Sequence, residues 1–165
     1  MKLIDQVIVP LSELQIDHHR PVSQKLVLEL LNHAVWAPNH MLREPWRFIY
    51  VDRGEVDKLE WFSHHPAAHL IIVIKNSSNP MKQNENIAAA FCLIQNFQLL
   101  ANERELGVNI CVHKWMSDRQ ACAKLGVSEK ETIVAVLELA YGVKHQGGRQ
   151  RKLPNSLNWS LLSEG

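Results

Sequence analysis

Few residues in this chain stand in surroundings that could make them reactive. There are nine histidines. His64, His65 and His69 form a local group and His18 and His19 a pair, but Pro66 breaks any helix that would align 65 with 69. No Asp or Cys stands beside them at ligand spacing, so no metal site is expected. A nucleophile elbow of the G-x-S-x-G kind is lacking, as is a cysteine with local activating neighbours. Gly147-Gly148 is a turn and not a phosphate-cradling loop. Two features keep a chemical reading. Arg149 and Arg151 are two apart; in an extended segment both side chains point the same way, so both guanidinium groups could face one phosphate. A solvated basic tail is the plainer alternative. His40, with Asn39 before it, lies in a polar loop bracketed by Pro38 and Pro45, where it can either serve a ligand or help a turn.

The elements that must carry these residues follow from apolar periodicity. Apolar residues at 22, 26, 27, 30, 31, 34 and 35 make the stripe of an amphipathic helix, with Ser23 as its N-cap and Pro38 as its stop. Trp46 to Val51 is aromatic and β-branched and reads as a strand. A short helix from Gly54 to Phe62 is expected next. His69 to Lys75 is an apolar run, the mark of a strand covered on both faces. Asn76 to Asn84 is rich in turn residues and is expected to be mobile. Asn86 to Leu106 reads as a long helix ended by Gly107; its first half is apolar all round and should lie centrally. Val108 to Val112 is a possible strand. Ser117 can cap a helix running to Leu125 that Gly126 ends, and Thr132 to Tyr141 is a last strand. The order suggests an α+β or α/β sandwich with a central sheet covered by helices.

The 165 residues fit one domain, read as a core over 1–142 and a C-terminal arm over 143–165. With 46% hydrophobic and 21% charged residues the chain can bury a core. A net charge of +1 gives no reason to expect nucleic acid or an acidic membrane surface. Cys92, Cys111 and Cys122 are odd in number and lack C-x-x-C spacing, so they read as reduced thiols. The first residues make a poor signal peptide, and no apolar run approaches the ~20 residues that span a bilayer. A cytoplasmic location is the expectation. The polar arm ends in Leu157, Trp159, Leu161 and Leu162, which calls for docking on a partner surface.

The stretch APNHMLREPWRFIYV resembles the loop-then-strand signature of the nitroreductase-like flavoproteins, whose usual form is A-P-S/D/N-x-x-x-x-Q/E-P-W-x-F, in the variant of the short, minimal members. HRPVSQKLVLELLNHAVW is similar to the family's P-V-x-x-x-x-L helix, and NENIAAAFCLIQNFQLLANERELGV to its long central helix. LGVSEKETIVAVLELAYG and RQRKLPNSLNW are similar to its late strand and its basic R-x-R tail. The resemblance spans about residues 16 to 159, in order. It implies an α+β homodimer with a mostly antiparallel sheet flanked by helices and one FMN at each subunit interface. Electrons would pass from NADH or NADPH through the flavin to a nitro-aromatic, quinone or similar acceptor.

The positions implied to hold the cofactor are Ser12, Trp36, Pro38, Asn39, His40, Cys111, Val112, His113, Arg149 and Arg151. Trp36 could only stack, since an indole does not pair with phosphate. The chain departs from the family at the N-terminal R-R-S-x-R motif, where Pro10-Leu11-Ser12-Glu13-Leu14 stands and only Ser12 survives. Leu42 replaces the loop's usual Asn, and Ile110-Cys111-Val112-His113 replaces W-K/R-S/T-G. Weakened phosphate contacts are therefore expected. A catalytically weak or inactive flavin-binding relative is the alternative reading.

Overall fold

Seven of the eight residues of strand β3 (Ala68–Lys75) are buried, and their alternating side chains enter two different cores. That is why the run reads as continuously apolar: helices cover both faces of the sheet. The computed structural model describes residues 14–17, 19–56, 59, 61–62 and 66–144. Its elements are β1 (Leu14–Ile16), α1 (Gln24–Ala34), a 3-10 turn (His40–Leu42), β2 (Trp46–Asp52), α2 (Arg53–Val56), β3, α3 (Pro80–Glu103), β4 (Leu106–Cys111), a second 3-10 turn (Lys114–Ser117), α4 (Arg119–Lys124) and β5 (Glu131–Lys144). The fold is α+β.

The sheet runs β1-β5-β3-β2, with β4 on the other side of β5, and every pairing is antiparallel. A bulge between Ile72 and Val73 shifts the β3–β5 register by one residue at Val134. As a result Val134 and Ala135 both face the larger core, while Ile133 and Val136 face the smaller one. The larger core joins the sheet to α1 and α3 through Val27, Leu30, Leu31, Leu93, Ile94 and Phe97. The smaller core, on the opposite face, holds Val51, Phe62, Ile71, Met116, Cys122 and Val136.

Ser23 caps α1 as expected, its Oγ accepting from Leu26 N at 3.1 Å. Several boundaries differ from expectation. α3 begins at Pro80 and takes in most of the segment expected to be a mobile turn; Asn79 caps it, accepting from Met81 N and Lys82 N, and Pro80 occupies the first turn, where its missing N–H costs nothing. Gly107 lies inside β4 and does not end α3; Glu105, at φ 59°, makes that turn instead. Asp118, not Ser117, caps α4. Among the described residues the helix after β2 is Arg53–Val56, and Leu59, Trp61 and Phe62 are not helical. β5 continues to Lys144 because β1, unforeseen in the sequence, pairs with its last residues. Gly126 ends α4 at φ 70°, as expected.

Candidate functional site

The loop between α1 and β2 is built from unusual backbone. Met41, Leu42 and Glu44 have φ of 54°, 51° and 44°, left-handed values that bulky residues rarely adopt. Each costs on the order of 1–3 kcal/mol and persists only where the surroundings hold it. Asn39 does part of this holding. Its Nδ2 donates to Ala37 O at 3.2 Å, and its Oδ1 accepts from Glu44 N at 3.0 Å. Asn39 is thus tied into the loop's own frame. Further on, Pro45 O accepts from Lys75 N, and Lys75 O accepts from Nδ2 of the buried Asn86 on α3. From the loop's middle, Arg43 Nη2 donates to Glu85 Oε2 at 2.7 Å. Arg43 Nε is buried with no hydrogen-bond partner. The loop is therefore docked on the start of α3 and the edge of the sheet.

This frame presents apolar side chains outward. Trp36 is 85% exposed, and Met41 and Leu42 are each 82% exposed. Pro38 and His40 are exposed beside them. Three large apolar side chains in one strained loop are an unusual surface, suited to covering a flat apolar ligand.

The second group of expected residues lies at the end of β4. Asn109 Nδ2 donates to Glu138 Oε2 at 2.8 Å and lies 3.2 Å from Cys111 Sγ. Burial first, then the Glu138 charge, push the Cys111 thiol up to about 11. It stays protonated at neutral pH and is a poor nucleophile. Val112 is exposed. The His113 ring stacks near Trp115, which in turn meets Phe62 and Trp61. His113 thus belongs to an aromatic group over the smaller core.

A single chain does not set these two groups side by side. β4 and β2 are separated by β5 and β3, which is three strand spacings, or roughly 14 Å. Trp46 and Ile74 also lie level with Thr132, whereas Cys111 lies level with Val136, farther along β5. Ser12, Arg149 and Arg151 lie outside the described residues, as do His18, His64, His65 and the apolar residues of the arm. Arg43 and Glu85 are the pair that sequence reasoning missed; nothing in their spacing, 42 residues apart, points to contact. Among the described residues no group of three or more His, Cys, Asp or Glu stands close enough to hold a metal ion.

The model of the nitroreductase family matches residues 18–64, the stretch containing α1, the strained loop and β2. A Bacillus subtilis (strain 168) protein with the provisional name NAD(P)H nitroreductase YfhC is 29% identical over 145 positions, covering 73% of this chain and 75% of that one. Over that stretch the chain is similar to the nitroreductase family. The fold is also that of a nitroreductase-like protein from Bacillus cereus, with a TM-score of 0.76, 24% identity, and 93% of this chain and 92% of that one covered. A nitroreductase from Bacteroides fragilis, crystallised with bound FMN, superposes with a TM-score of 0.72 at 17% identity, over 99% of this chain and 100% of that one. Among the described residues no helix is long and apolar enough to cross a membrane.

Proposed function

We propose that this chain is an FMN-dependent NAD(P)H oxidoreductase that passes electrons to a nitro-aromatic, quinone or similar small acceptor. The observation that carries the reading is the strained loop. It lies within the family-matched stretch, is held from two sides, and turns apolar surface and His40 outward. The residues present fit a flavin. Trp36, Met41 and Leu42 offer apolar cover for a planar ring, and His40 a polar side chain for its edge. Bound FMN would supply the redox chemistry at its ring. The chain's share is to bind that ring, orient it and leave one face open. A neutral Cys111 leaves no thiolate to compete with it.

Ser12, Arg149 and Arg151 complete the proposed cofactor set as contacts to the phosphate, and Cys111, Val112 and His113 as contacts from the end of β4. The separation of β4 from the loop supports a site shared by two chains, with the 143–165 arm crossing to the partner. The unpaired cysteine count supports a cytoplasmic location.

Purified protein tests the reading. A yellow preparation, or one that becomes yellow with added FMN, and that bleaches anaerobically under NADPH or NADH, is the expected result. Yellow protein that neither nucleotide bleaches would favour a flavin-binding relative without turnover, for which the leucines and Glu13 around Ser12 speak. Colourless protein that takes up no FMN defeats the proposal. Titration with FMN against riboflavin reads the phosphate contacts: equal affinity removes the role given to Arg149 and Arg151.

A further inference from the structure

We propose that the Arg43–Glu85 ion pair fixes the strained loop in its flavin-receiving conformation, making Arg43 a positioning residue for the cofactor. The inference rests on the FMN reading above and adds to it a residue pair that the loop's motif leaves unspecified. The loop carries three left-handed non-glycine residues, and Arg43 sits between the second and the third. Such a backbone relaxes to common conformations unless tied down. Asn39 ties Ala37 and Glu44 together within the loop, but that link is local and does not fix the loop's position on the molecule. Arg43 does. Its Nη2 reaches Glu85 on α3, and its buried Nε shows that the guanidinium is seated and not waving in solvent. Glu85 is a rigid post because the next residue, Asn86, is buried and bonded to Lys75 O.

An exposed ion pair on one helix contributes little. This pair is partly covered, at 28% and 40% side-chain exposure, and joins two elements far apart in sequence. The 3-10 turn it holds contributes no buried residue. Losing the pair should therefore move the loop without opening either core. The readout that separates positioning from structure is flavin affinity against the stability of the flavin-free protein.

The experiment uses the full chain as R43A, E85A, the double variant R43A/E85A, and R43K. FMN affinity is measured by fluorescence titration, unfolding temperature without FMN, and amide exchange at Met41 to Glu44. Each alanine variant is expected to bind FMN about three- to tenfold more weakly, with the double variant no weaker than either single one. R43K should recover part of the loss. Unfolding temperatures should stay within about 2 °C of the parent, and exchange at Met41 to Glu44 should quicken. Additive losses in the double variant, or an affinity loss matched by a drop in unfolding temperature, would overturn the proposal. If the parent protein takes up no FMN, the functional reading fails and exchange alone decides the pair's role. Faster exchange in R43A then supports the loop-holding part, and unchanged exchange sinks it.

Discussion

Asn39 and His40 are adjacent but differently employed. Asn39 spends both ends of its amide inside the loop, while His40 is exposed at the loop's outer surface. The sequence motif marked both as cofactor positions, but a motif cannot separate a residue that shapes a loop from one the loop displays. Substitution can. Asn39→Ala removes two hydrogen bonds and should cost about 1–3 kcal/mol of stability. Asn39→Asp keeps the acceptor for Glu44 N and should cost less. His40→Ala should leave stability within about 0.5 kcal/mol, since no core depends on it, yet lower FMN affinity or the rate of flavin reduction by NADPH about tenfold. Thermal unfolding and stopped-flow reduction make the distinction. Unchanged flavin content and reduction rate in His40→Ala would remove its cofactor role.

At the scale of elements, long-range pairing decides what composition leaves open. The turn residues of NSSNPMKQN suggested a loop, yet Asn79 and Pro80 are also a helix start, and α3's docking against β3 selects that use. β3 and the strand from Trp46 were legible because their apolar runs have strand length. β1 was not, since three residues acquire strand form only by pairing with Gly142 to Lys144. The Arg47–Glu131 link was likewise invisible. Arg47 Nε donates to Glu131 Oε1 at 2.6 Å and Nη2 to Oε2 at 3.0 Å, joining the start of β2 to the start of β5, with Ser128 N–H as a further donor. The Arg47 hydrogen bonds, then the Ser128 backbone, hold the Glu131 carboxyl at about 2, below its ordinary 4.5. A carboxylate whose folded value is depressed stabilises the fold above its unfolded value, and that contribution is lost as pH falls through the folded value. Glu131→Gln should thus cost about 1–2 kcal/mol at neutral pH. The gap to the parent protein should narrow as pH falls from about 4.5 towards 2. Urea unfolding across that range measures it; a gap independent of pH would mean the charge is not what stabilises the junction.

At the scale of the molecule, α3 is apolar on its buried face and leaves Ala88, Phe91 and Cys92 exposed on another. Its inner face buries Ala90, Leu93, Ile94, Phe97 and Ala101. Ala88, Phe91, Cys92 and Gln95, at helical spacing on another face, remain exposed, with Phe91 at 41%. The sequence reading placed this segment at the centre of the structure. One face of the helix does lie in the larger core and another stays exposed, a division that an all-round apolar run does not reveal because it does not distinguish a core from a surface. The gap between the strained loop and the end of β4 bears on the proposed homodimer: one chain holds the two groups apart, and a symmetric partner could bring its own β4 end to the loop. If the proposed homodimer forms through this face, Phe91→Arg should convert it to a monomer, because a guanidinium in a symmetric apolar contact would face its own copy and be desolvated without a partner charge. The inner face is untouched, so the far-ultraviolet spectrum should be unchanged. Flavin should be lost together with association. Sedimentation of parent and variant with and without FMN reads both effects, and a parent protein that sediments as a monomer at micromolar concentration while still holding flavin would place the whole site within one chain.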